Sequence, residues 1–125
     1  MSQSMKLPGP DHPITVDPYP RRVRVEFEGH LIADSEDVLI LREKDYRPVF
    51  YFPRDDVSME YFARSEHGSY CPYKGHANYY TLNMDGHIEE NAVWTYEEPF
   101  PAMAGIADMV SFYPDKVDSI VTLPD

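Results

Sequence analysis

The dipeptide Asp85-Gly86, set between two runs rich in aromatic and β-branched residues, constrains the fold of this chain more than any other feature. Asp-Gly supplies the positive φ angles that a two-residue turn needs if its twist is to match that of the flanking strands. Residues 79–84 and 87–96 are therefore expected to form a hairpin. A chain that commits so much of its aromatic content to one hairpin needs further strands to cover it, since an isolated two-stranded ribbon is marginal in water.

Those strands are legible upstream and downstream. Val23, Val25 and Phe27 alternate with Arg24, Glu26 and Glu28, which is the period of a half-buried strand. Gly29-His30 is expected to turn the chain, and 31–33 and 38–41 to continue the sheet, with a bend or bulge at Asp34-Ser35-Glu36-Asp37. Residues 49–52 form a dense apolar run stopped by Pro53. Asp55 or Asp56 is placed to cap a short helix over 57–62, because an Asp carboxylate accepts the first unpaired amide donors. Past Pro99, the three- and four-residue steps of Phe100, Met103, Ile106, Ala107 and Val110 predict a second helix of about three turns. Residues 111–113 and 118–123 then close the sheet. The expected fold is mainly β, a single small domain of seven or eight strands with two short helices. Residues 1–20 carry five of the twelve prolines and form an extended arm ahead of the β-rich domain at 21–125, with Ile14 and Val16 presenting one apolar face.

Composition narrows the partners. At 125 residues there is apolar surface for one core, and 42% apolar with 14% aromatic residues is too much for a disordered acidic chain. Twenty-two acidic against eleven basic side chains give a net charge of −11, which argues against nucleic acid and anionic membrane surfaces but not against a small anion. The single cysteine rules out an internal disulfide and a multi-thiolate zinc site. No apolar run approaches the roughly 20 residues of a membrane span. The first six residues lack the apolar segment of a secretory signal, so a cytoplasmic location is expected.

The chemistry is concentrated in Cys71-Pro72-Tyr73-Lys74-Gly75-His76. Pro72 suits the first loop position of a type I turn and Gly75 a left-handed final one, which predicts a four-residue hairpin connection with Cys71 facing His76. Lys74 or His76 would then lower the thiol pKa and make Cys71 a nucleophile or redox sensor. The alternative is an inert, buried thiol beside a structural turn. His12, His30, His67, His76 and His87 show no ligand spacing, and no metal is expected. Glu89, Glu90, Glu97 and Glu98 are candidate general bases or simply solvated carboxylates. Tyr79, Tyr80, Trp94 and Tyr96 on one hairpin build core or stack a planar ligand.

Taken in chain order, Asp11-His12-Pro13-Ile14, Ala33-Asp34-Ser35, the stretch 51–57 around Pro53-Arg54-Asp55, the stretch 71–80, Ala92-Val93-Trp94-Thr95-Tyr96 and Phe112-Tyr113-Pro114 resemble the bacterial domain of unknown function family 427, whose label names a nucleotidyltransferase. The resemblance implies a mainly β architecture similar to the β-tent group that includes methionine-sulfoxide reductase B. In that group two Cys-x-x-Cys pairs often bind zinc, and this chain has neither. It also implies that Cys71, Lys74 and Gly75 belong to the signature while His76 does not, which shifts weight from a Cys71-His76 pair to Cys71 with Lys74. No Gly-rich phosphate loop leading into a helix and no paired-Asp magnesium motif accompanies the label.

Three functions follow as expectations. The first is a small-molecule site in which Arg54 and Lys74 hold an anionic group and Cys71, Tyr73, His76, Tyr80, Trp94 and Tyr96 hold the rest, with no cofactor identifiable. The second is an enzyme, Cys-dependent or nucleotidyltransferase-like, with Cys71 and Lys74 as the catalytic pair. The third is a non-catalytic interaction module contacting a partner through the arm or a β edge.

Overall fold

The computed structural model describes residues 5–124; whatever the sequence suggests for residues 1–4, including the start of the arm and the question of a leader, lies outside the described residues. Among the described residues ten strands run in the order β1 (Ile14–Pro18), β2 (Val23–Phe27), β3 (His30–Ser35), β4 (Leu39–Glu43), β5 (Val49–Tyr51), β6 (Phe62–Cys71), β7 (Gly75–Met84), β8 (His87–Thr95), β9 (Val110–Phe112) and β10 (Ser119–Thr122). They form three antiparallel sheets, β1-β4-β5, β10-β2-β3 and β6-β7-β8-β9, none closed into a barrel. The chain is mainly β, as its alternation predicts. No helix among the described residues is long and apolar enough to cross a membrane.

The Asp85-Gly86 hairpin forms as expected: Met84 pairs with His87, and the two turn residues take φ of 51° and 91°. The neighbouring turn is displaced by one residue. Phe27 pairs with His30, so Glu28 and Gly29 make the turn, at φ 50° and 74°, and His30 opens β3.

Neither predicted α-helix forms. Around 57–62 the chain makes two 3₁₀ turns, Arg54–Asp56 and Met59–Tyr61, separated by extended Val57, which bridges Ala33 while the Ser58 N–H donates to the Ile32 carbonyl at 2.8 Å. Pairing to β3 captures the backbone that a helix would need. Asp56 caps nothing and instead accepts from the Ser35 hydroxyl at 2.6 Å. After Pro99 a 3₁₀ segment, Pro101–Ile106, carries a non-helical break at Met103. Only Met103 and Ile106 are buried there, three residues apart, which is the repeat of a 3₁₀ turn rather than an α-helix. Val110 belongs to β9.

Within the stretch read as an extended arm, residues 14–18 form β1, paired with β4 from Ile14 opposite Glu43 to Pro18 opposite Leu39. Pro18, at the strand's last position, costs little because β1 is an edge. The largest element without a sequence signal is β6, whose ten residues include Arg64-Ser65-Glu66-His67-Gly68-Ser69 and show no apolar period.

Successive side chains on β7 and β8 point to opposite faces of the four-stranded sheet and so divide the interior in two. Tyr80, Leu82, Met84, Val93 and Phe112 pack with Val23, Val25, Phe27, Ile32 and Phe52 in one cluster. Ala77, Tyr79 and Tyr96 pack with Leu41, Tyr51, Met103 and Ile106 in the other. Phe52 and Val110 exchange backbone hydrogen bonds of 2.8 and 3.0 Å, the stitch between the β4-β5 sheet and the large sheet.

Candidate functional site

The β6–β7 connection is tighter than a four-residue loop. Cys71 pairs with Gly75 and Tyr70 with His76, leaving Pro72, Tyr73 and Lys74 as the turn. Gly75 closes it at φ +111°, beside the backbone of residues 98–100, whose Phe100 N–H donates to the Lys74 carbonyl at 2.9 Å. The positive φ is what calls for glycine. The expected Cys71-His76 facing pair does not form. His76 is exposed, tilted against Tyr70, and flanks a shallow surface pocket with Asn78, Glu97 and Glu98.

Held by this turn, Lys74 folds inward rather than into solvent. Its Nζ lies 2.5 Å from Glu43 Oε1 and 3.9 Å from Cys71 Sγ. The other carboxylate oxygen of Glu43 is 2.6 Å from Nε2 of His12, whose ring stacks on Tyr73 at 4.0 Å and 4°. Burial pushes the Glu43 carboxyl up, but hydrogen bonds from Lys74 and His12 and their charges outweigh it and hold the group below the ordinary carboxylate range. A salt bridge with both side chains 11% exposed is held in place by its hydrogen bonds, since either ion alone would be poorly solvated.

Beside this pair opens a pocket of about 210 Å³, lined by Tyr46, Tyr51, Tyr79, Trp94, Tyr96 and Tyr113 together with Leu41, Val49, Lys74, Glu43 and the exposed Arg47. Tyr79 and Trp94 are cross-strand partners on β7 and β8, which places both rings on this face. The Trp94 Nε1–H donates to the Tyr51 hydroxyl at 3.2 Å, and Tyr113 tilts against the indole with centroids 4.5 Å apart. Burial raises the Tyr51 and Tyr96 phenols above the ordinary tyrosine range, and burial with the bond to Tyr79 pushes Tyr113 up to about 12. All three therefore stay protonated donors at neutral pH. Tyr96 is only 7% exposed, yet among the described residues its hydroxyl has no hydrogen-bond partner. It is not a sealed atom either, because Arg24 Nε is the one such unsatisfied side-chain atom among the described residues; the hydroxyl opens to the pocket.

Of the eight residues singled out from the sequence, Lys74, Trp94 and Tyr96 come together in this pocket. Cys71 packs beside Lys74 without lining it, and Tyr73 covers the Lys74 end through His12. Arg54 and Tyr80 do not join them. Tyr80 points to the other face of the sheet, where its hydroxyl accepts from Arg54 at 2.8 Å; Arg54 also donates to Thr95 Oγ1 at 3.2 Å and the Asp108 carbonyl at 2.7 Å. Arg54 and Lys74 therefore do not form a two-cation clamp: Arg54 is held by Tyr80 and Thr95 on the face of the sheet opposite Tyr79 and Trp94, while Lys74 is held by Glu43 of β4 beside the pocket.

Sequence reasoning passed over Glu43, Arg47, Tyr51, Tyr113 and His12. Glu43 had a signal: Leu41 and Glu43 are two residues apart on β4, so a charge sits at an inward position. For His12 the signal was its place in the stretch Asp11-His12-Pro13-Ile14, while no spacing points to a partner 31 residues away. Among the described residues no group of three or more His, Cys, Asp and Glu is gathered to hold a metal. A comparison with curated proteins finds no match. A family model described as a domain of unknown function (DUF427) matches residues 15–123, which hold every strand from β2 to β10 and all of the pocket, and the chain belongs to that family.

Proposed function

We propose that the Lys74–Trp94 pocket binds a small planar ligand bearing hydrogen-bond acceptors, of the class of an aromatic carboxylate. The observation that carries this reading is the Tyr96 hydroxyl: a donor on a side chain only 7% exposed, without a protein partner among the described residues, opening into a cavity walled by rings. Polar groups in such positions are completed by a ligand or by water. The remaining lining supports the same chemistry. Lys74 has three donors, of which Glu43 takes one and Cys71 Sγ a second at 3.9 Å, the Tyr51 and Tyr96 phenols donate, and the exposed Arg47 also lines the pocket. Trp94 and Tyr113 provide the stacking faces.

Trp94 is the sole tryptophan, so tryptophan emission reports from a wall of this pocket. Titration with benzoate and with indole-3-carboxylate is expected to change that emission saturably. In Tyr96→Phe the dissociation constant is expected to rise about threefold to tenfold, the range of one hydrogen bond of roughly 1 kcal/mol. A response that never saturates, or that Tyr96→Phe leaves unchanged, contradicts the reading. Saturable binding of adenosine monophosphate in place of the carboxylates would move it to a nucleotide.

A further inference from the structure

A second pocket, of about 340 Å³, adjoins the first and shares three of its walls, Arg47, Val49 and Trp94. Its chemistry is different. The rest of its lining is Pro48, Phe50, Phe52, Phe112, Pro114 and Ile120, and the indole N–H of Trp94 is turned away to the Tyr51 hydroxyl. Phe52 and Phe112 are fully or almost fully buried and lock edge to face at 5.4 Å and 84°, so the floor is rigid core. Ile120 on β10 and the Pro114 turn form the opposite wall, which makes the space a concavity between sheets and not an open face.

We infer that the two pockets are one site and that its ligand is amphiphilic, with a planar acceptor-bearing head on the Lys74 side of Trp94 and an apolar tail on the Phe50 side. This rests on the reading of the first pocket given above. Water in the second space finds almost no polar partner, whereas each methylene placed there leaves water for an apolar wall. The shared residues define the junction: Trp94, Val49 and Arg47 line both spaces, so an anionic head group and its tail would meet beside one cation. A concavity of about 340 Å³ with a mostly apolar lining fits a short hydrocarbon chain or a single ring better than the extended surface of a protein partner.

The test is a series of benzoate, 4-ethylbenzoate and 4-butylbenzoate measured by calorimetry on the full chain. Affinity is expected to rise about threefold to fourfold per methylene, the increment of one buried CH₂. Ile120→Phe, which fills the tail space, is expected to keep benzoate affinity within about twofold and to abolish the rise along the series. If benzoate binds and the alkyl groups add nothing, or if Ile120→Phe leaves the increment intact, the tail site is overturned while the head pocket stands. If benzoate does not bind at all, the head pocket itself is overturned and the tail inference falls with it. The wild-type series decides the matter even if Ile120→Phe fails to fold.

Discussion

Lys74→Met is expected to destabilise the protein by about 3–5 kcal/mol in urea unfolding, the cost of removing one partner from a buried ion pair and leaving the other charge uncompensated. Glu43 keeps the His12 contact at 2.6 Å but loses the nearer cation, and with its side chain 11% exposed it is poorly solvated. Lys74→Met combined with Glu43→Leu is expected to recover most of the loss, because two apolar side chains then replace two matched charges. The sign of the pH dependence follows from Glu43. Its folded carboxyl lies below the ordinary value of 4.5, so on acidification the unfolded chain takes up the proton first. The stabilisation is fully present above that ordinary value and is lost as pH falls through the folded one. In Glu43→Gln this part of the acid limb should flatten; a limb identical to that of the wild type would show that the Lys74–Glu43 pair contributes nothing.

Phe52→Ala is expected to cost about 3–5 kcal/mol and to lower the melting temperature by roughly 10–15 °C. Phe52 is fully buried, packs edge to face on Phe112, and stands where the backbone stitch to Val110 joins two sheets. Deleting the ring opens a cavity continuous with the apolar tail pocket, which cannot collapse against the rigid β9 strand. A loss below about 1 kcal/mol, within the range of surface substitutions, would mean that this junction does not hold the sheets together.

Local chemistry made much of the fold legible. Asp85-Gly86 forms its two-residue turn, and Val23, Val25 and Phe27 face inward as their alternation requires, because both features are decided by nearest neighbours. The helical expectations failed where tertiary pairing competes with local preference: the Ile32 carbonyl captures the Ser58 amide, and two prolines with a three-residue apolar repeat tighten 101–106 into 3₁₀ geometry. β6 escaped notice because it is an edge strand, specified by its partner β7 and not by a buried face. The site divides the same way. Lys74, Trp94 and Tyr96 were identifiable as residue types in unusual places, but Glu43 and Tyr113 reach the pocket from β4 and from just past β9, His12 reaches Glu43 from the N-terminal segment, and no spacing in the chain encodes that meeting. Arg54 was assigned to the wrong partner for want of one bit of information, the face to which Tyr80 points.

The most direct measurement is the side-chain ¹H–¹⁵N spectrum during addition of benzoate, in which Trp94 contributes the single indole cross-peak and Arg54 reports the opposite face of the sheet. Saturable movement of the indole signal, with the Arg54 Nε–H signal stationary, is the predicted result. A stationary indole signal at millimolar benzoate, or a shift confined to Arg54, would contradict a ligand site between Trp94 and Lys74.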